Sequence, residues 1–249
     1  MNLMDVIAAL ALPTESRVDQ RVPKKLLVER GAPTAADKRQ INEGIEELFW
    51  LAALKPGTIG VPDYRDAVRE YLEIAVLSLT LRPIAKPGRL MELIHRAIPY
   101  PVLLVAAQSE TLSLSLAHKR LAQNEADRVV LDEAITACTI GDQPAVHAFL
   151  ASLSLETQPR AHLLAVYQGW KDCVEAFLAA QLTGEFTRPL SAESASARRE
   201  ALLEHDRLTR QVAALRGQAA RESQVNRRVE LNLEIKRLEA ALAKAKGNL

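Results

Sequence analysis

Hydrophobic positions in this chain follow different periods in different stretches, and a change near residue 187 divides it. Before that point they alternate, form short continuous runs, or recur at helical spacing. The clearest strand is predicted at residues 71–81. There Leu72, Ile74, Val76, Leu77, Leu79 and Leu81 mix alternation with a continuous apolar run, as in a strand buried on most of both faces. A loop bounded by Pro83 and Pro87 follows, and Leu90, Leu93, Ile94 and Ala97 then give residues 88–98 a helical stripe. Pro99-Tyr100-Pro101 turns the chain into a wholly apolar strand at 102–107, and Leu112, Leu114 and Leu116 alternate with Ser113 and Ser115 in a hairpin partner at 111–116. Residues 129–140 suit a further edge strand.

Upstream, residues 2–12 suit a short helix ended by Pro13, and 14–25 read as a polar segment. Thr34 and Asp37 resemble a capping box that opens a helix; the pattern favours a break at Gly44 with a strand after it. Downstream, 143–153 and 158–182 read as helices, the second with Leu163, Val166, Trp170, Cys173, Val174 and Phe177 on its apolar face. Strand, helix and two or three further strands imply an α+β fold with a small, mainly antiparallel sheet. The expected organisation is an α+β domain at 1–140, a helical extension at 141–186, a linker at 187–197 and a coiled-coil tail at 198–249.

In the tail, Leu208, Val212, Leu215 and Ala219 form one stripe, and Leu231, Ile235, Leu238, Leu242 and Ala245 another. The step from Ala219 to Leu231 is out of phase with both. One long helix with a phase shift fits, as does a helical hairpin turning near Gly217 or in the polar stretch 221–228. The lack of proline favours the continuous helix. Either form needs a partner for its stripes: its own second arm, another copy, or another protein.

Charge sharpens this division. The 249 residues carry 32 Lys+Arg and 31 Asp+Glu, a net +1. Residues 198–246 hold 12 Lys/Arg against 7 Asp/Glu, so the tail carries +5 and the remainder −4. A polyanion partner is compatible with such a tail. Cys138 and Cys173 are too few for a disulfide framework or a zinc cluster, and the cytoplasm is the expected location. No apolar run approaches the ~20 residues that span a bilayer, so no membrane partner is expected.

Candidate chemistry is sparse. His118-Lys119-Arg120, at the end of a predicted strand, offers three consecutive donors for phosphate, carboxylate or a partner protein. His95 and Arg96 lie on the 88–98 helix, and Lys24, Lys25, Arg227 and Arg228 add basic positions suited to DNA or RNA. Glu70, Glu73 and Lys119 would suit a metal-dependent nuclease, with carboxylates holding Mg²⁺ and a lysine orienting water. No phosphate-binding loop, dinucleotide fingerprint, HExxH or Gly-x-Ser-x-Gly is present, so neither a cofactor nor a resident metal site is expected.

Several segments also form a joint pattern: Arg21-Val22-Pro23-Lys24-Lys25, Asp37-Lys38, Tyr71-Leu72-Glu73-Ile74, Ile94-His95-Arg96-Ala97-Ile98-Pro99-Tyr100-Pro101, Leu114-Ser115-Leu116-Ala117-His118-Lys119-Arg120, Leu182-Thr183-Gly184-Glu185-Phe186 and Val229-Glu230-Leu231-Asn232. With these the chain resembles a bacterial family of unknown function whose genes often sit beside helicase and DNA-methyltransferase genes in restriction or phage-defence loci. The resemblance implies that context, with helicase or methyltransferase subunits as partners; joined to the tail's stripes, it leads to the expectation of an accessory, non-catalytic subunit that assembles through residues 198–246 as a homo-oligomer or hetero-complex. It assigns no catalytic residue. The metal-dependent nuclease of the same setting and a coiled-coil oligomerisation scaffold without nucleic-acid binding remain as alternatives.

Overall fold

A computed structural model describes residues 1–122 and 129–249, which form two compact units, Met1–Val174 and Glu175–Leu249. The first unit is built on a six-stranded sheet of order β1-β2-β5-β6-β7-β10. It opens with α1 (Leu3–Ala9), capped by Asn2, whose side chain accepts from the Met4 and Asp5 amides. Strand β1 (Arg17–Arg21), α2 (Lys24–Gly31), α3 (Ala35–Gly44) and β2 (Ile45–Leu54) follow. The helix-to-strand change falls at Gly44, as the sequence predicts. A Cβ there would lie 2.9 Å from Leu90 Cδ1 and 3.2 Å from Ala85 Cβ, so any larger residue at this turn would make those side chains give way.

The next elements are α4 (Pro56–Ile59), the small hairpin β3 (Tyr64–Arg65) and β4 (Glu70–Tyr71), and then β5 (Ile74–Leu81). Helix α5 (Pro87–Ala97) carries the chain over to β6 (Val102–Gln108), which runs parallel to β5. Parallel neighbours need such a crossover, whereas antiparallel ones can be joined by a tight turn. Strand β7 (Thr111–Leu116) returns antiparallel after the two-residue turn Ser109-Glu110. The hairpin β8 (Lys119–Leu121) and β9 (Val129–Leu131) precedes β10 (Thr136–Ile140), which pairs with β7. Helices α6 (Val146–Ser152) and α7 (Leu163–Thr183) complete the order, with α7 running across the division between the units.

Strand alternation explains why β5 is apolar almost throughout. Ala75, Leu77, Leu79 and Leu81 join Leu104 and Ala106 of β6 in one core, against Leu27 of α2, Ile41 of α3 and Leu90, Leu93 and Ile94 of α5. Ile74 and Val76, on the alternate positions, are also fully buried.

Several expectations need correction. The central strand starts at Ile74, because Tyr71 pairs instead with Tyr64 in the β3–β4 hairpin. Residues 129–140 divide into β9 and β10, separated by a bend at Asp132-Glu133. The polar segment 14–25 contains β1 and the start of α2. β1 pairs with β2 through its backbone and has a bulge between Arg17 and Gln20, where Asp19 takes a left-handed φ of 47°. It is an edge strand, and edge strands carry polar side chains.

In the second unit, α8 (Ala192–Arg221) and α9 (Val225–Gly247) are separate helices joined by Glu222-Ser223-Gln224. The single continuous helix is therefore replaced by a helical hairpin. Val212, Leu215 and Ala219 of α8 pack against Leu231, Ile235 and Leu238 of α9, and Arg216 pairs with Glu239 at 2.6 Å. The phase shift between the stripes is the turn that folds one onto the other. Ser191 caps α8: its side chain accepts from the Ser194 amide, so the helix starts inside the expected linker and earlier than Arg198. No described helix is long and apolar enough to cross a membrane.

Candidate functional site

The three consecutive donors His118, Lys119 and Arg120 do not act together. Successive residues of an extended chain point to opposite sides, and here each finds a different environment. His118 is 6% exposed and Lys119 only 2%.

His118 sits in a hydrogen-bonded series that can be followed in one direction. The Tyr71 hydroxyl donates to Nδ1 of His118, whose Nε2–H donates to Gln168 Oε1 at 2.8 Å. Gln168 Nε2 in turn donates to Asp172 Oδ1 at 2.7 Å. The partners assign the Nε2–H tautomer. Burial lowers the pKa of His118, and burial raises that of Tyr71. Beside them, the Tyr167 hydroxyl accepts from the Ala117 amide at 2.8 Å and lies within 2.8 Å of the Val102 carbonyl and 3.0 Å of the Ala117 carbonyl. The series fastens β4, the end of β7 and α7 together with its hydrogen-bonding groups matched. That is the work of a structural clamp. Gln168 and Asp172 were not legible as members, although their i,i+4 spacing on an apolar helix is the signal that marks them.

Arg120 turns to Asp132, 3.5 Å from Nε, and Arg69 holds the same carboxylate with hydrogen bonds from Nε and Nη2. Lys119 goes elsewhere: its ammonium donates to the carbonyl of Ile98, the residue that ends α5. Burial lowers its pKa to about 7.

Close to Lys119 lies His95 of α5, fully buried and held neutral, its pKa lowered to about 3 by burial with Lys119 adding to the effect. Its Nε2 is 3.0 Å from Ser115 Oγ, and its Nδ1 is buried with no hydrogen-bond partner among the described residues. His95 and Lys119 share the wall of a cavity of about 430 Å³ with Arg30 of α2, Arg96 of α5 and Val129–Leu131 of β9. The sequence pattern brought Lys119, His95 and Arg96 forward separately; Arg30 carried no signal of its own.

The remaining basic positions are spread out. Lys24 donates to the carbonyls of Asn42 (3.1 Å) and Ile45, closing the end of α3, and its pKa is lowered chiefly by burial. Lys25 faces Glu29 at 3.7 Å, Arg96 pairs with Glu92 at 2.6 Å, and Arg227 and Arg228 are exposed on α9.

The nuclease set is not assembled. Glu70 pairs with Arg65 within the small hairpin at 3.0 Å, and Glu73 is buried against Lys55 at 3.0 Å. Lys119 donates instead to the Ile98 carbonyl. Among the described residues no group of three or more His, Cys, Asp or Glu side chains could hold a metal ion. Cys138 and Cys173 are buried thiols, and burial pushes Cys138 up to about 12.

No curated protein and no solved structure matches the chain. Residues 10–242 match a family described as a domain of unknown function, DUF4391. That match takes in both the sheet with its buried His95 and Lys119 and nearly the whole α8–α9 hairpin, and the chain belongs to the DUF4391 family.

Proposed function

We propose that this protein is an accessory, non-catalytic subunit of a DNA-modification and helicase-linked phage-defence complex, joined to its helicase or methyltransferase partners through the C-terminal helices. The setting comes from the resemblance described above. The observation that carries the assembly role is the second apolar face of α9. Leu231, Ile235 and Leu238 are used against α8, while Val225, Val229 and Leu233 are exposed at i, i+4, i+8 spacing. At ~100° per residue the two sets lie on opposite sides of the helix. Soluble helices rarely leave such a ridge uncovered unless something docks on it. Lys236, Arg237 and Lys244 continue the helix in basic residues, which suits a partner that itself holds nucleic acid.

The nuclease alternative loses support because Glu70, Glu73 and Lys119 are engaged with three different partners. The test of the assembly reading is co-purification of the full-length chain with the products of its neighbouring genes. Val229→Asp with Leu233→Asp leaves the α8-facing stripe untouched and is expected to release the partner. Recovery of the same partners at unchanged yield overturns the reading. Retained partners with no DNA or RNA in the complex point to the scaffold alternative.

A further inference from the structure

The cavity beside α5 has the makings of a ligand site that is separate from the assembly reading. Two of its polar groups are almost wholly buried, and one has an unused atom: His95 Nδ1 has no hydrogen-bond partner among the described residues. Among the described residues the Ser115 hydroxyl bonds only His95 Nε2, and donation from the hydroxyl to that nitrogen is the assignment that leaves the fewest polar hydrogens unmatched. His95 then carries its own proton on Nδ1, as a donor awaiting an acceptor. A buried donor left alone is costly, and a ligand oxygen would satisfy it.

The charge around the cavity selects the sign of that ligand. α2 contributes Glu29 and Arg30, α5 contributes Arg96 beside neutral His95, and β8 contributes Lys119; β9 presents only Val129, Val130 and Leu131. Glu29 faces Lys25 and Arg96 faces Glu92, whereas Arg30 joins none of the ion pairs among the described residues. We propose that this cavity binds a small anion with a carboxylate or phosphate head, held by Lys119, Arg30 and the Nδ1–H of His95, its body lying against Val129–Leu131.

An anion beside Lys119 favours the ammonium form of a side chain that burial holds near neutrality. Binding near pH 8 therefore takes up a proton.

Calorimetric titration of the full-length protein with inorganic phosphate and, separately, with butyrate tests the site, at pH 8 in two buffers of different ionisation enthalpy. At least one probe is expected to saturate a single site with proton uptake, and the one that binds identifies the head group. Lys119→Met is expected to weaken binding by roughly tenfold or more and to abolish the uptake. Arg30 is exposed, so Arg30→Gln keeps the fold even if Lys119→Met does not, and it is expected to weaken binding severalfold. Failure of both probes to bind at millimolar concentration, or binding that Arg30→Gln leaves unchanged, overturns the proposal.

Discussion

Arg89 grips the carboxylate of Asp37 with two hydrogen bonds, Nε to Oδ1 at 2.8 Å and Nη2 to Oδ2 at 2.9 Å, and so ties the first turn of α5 to the first turn of α3. Thr34 supports the same carboxylate: its hydroxyl donates to Oδ2 at 2.7 Å and accepts the Asp37 amide at 3.1 Å. Arg89, and then Thr34, hold the Asp37 carboxyl down to about 2, against 3.8 ordinarily.

A carboxylate whose pKa is depressed by folding stabilises the native state above its unfolded value and loses that contribution as pH falls. The Asp37 contribution is thus complete above about pH 4 and lost on the way to about pH 2. Urea unfolding of wild type and Asp37→Asn is expected to show a stability gap that is constant from pH 5 to 7 and closes through that window. A gap of unchanged size at pH 2 means that the ion pair is not its source.

Lys119 gives a slope of the same sign at the other end of the scale. Its native pKa of about 7 lies below the ordinary 10.5, so between those values the unfolded chain holds a proton that the native chain has released. Stability is expected to rise with pH across that range, on the order of 5 kcal/mol in total from this side chain. Lys119→Met should lack the rise, and comparing unfolding free energies at pH 7, 8, 9 and 10 checks it. Parallel curves for the two proteins would show that Lys119 keeps an ordinary pKa.

The strands β5, β6 and β7 were legible because burial sets their patterns: both faces covered in β5 and β6, one serine-bearing face in β7. β1 was not, because Arg17, Asp19, Gln20 and Arg21 reach solvent and only its backbone is used for pairing. α2 was hidden for a related reason, since part of what holds it is Lys24 donating to carbonyls at the end of α3, a contact that only the fold creates. The tail's phase break was plain in Ala219 and Leu231, yet whether the stripes meet each other depends on the chain turning at Glu222-Ser223-Gln224. At the site, Lys119 read as the middle one of three consecutive donors, beside His118. Strand alternation placed it on the other side, and three distant segments buried it.

Glycine separates two situations in the same chain. A Cβ on Gly31 would meet the Leu93 carbonyl at 2.7 Å and Ala97 Cβ at 2.8 Å, where α2 closes on α5. Gly31→Ala is expected to cost about 1–3 kcal/mol by forcing the helices apart. Gly217 stands inside α8 with open space where a Cβ would go, and Gly217→Ala is expected to stabilise by about 0.5–1 kcal/mol through lost backbone freedom in the unfolded chain. Thermal or urea unfolding of both variants reads the opposite signs directly.

Tyr167→Phe removes a hydroxyl without changing the ring's packing. The Ala117 amide then loses its acceptor in a fully buried setting, at an expected cost of about 1–3 kcal/mol. Amide hydrogen exchange at Ala117 should quicken by more than that at Leu103, whose partners lie in the strand ladder. Equal acceleration at both positions would assign the loss to global unfolding.

The parallel β5/β6 pairing carries a consequence for how the chain reaches its native state. It divides the sheet into two antiparallel meanders that are each continuous in sequence, β1-β2-β5 before α5 and β6-β7-β10 after it. The hairpin of β6 and β7 closes a two-residue turn, whereas β5 and β6 can meet only once α5 has crossed over the sheet. The middle of the sheet, deep in the finished protein, is thus a junction of two halves that forms only with α5 laid across it.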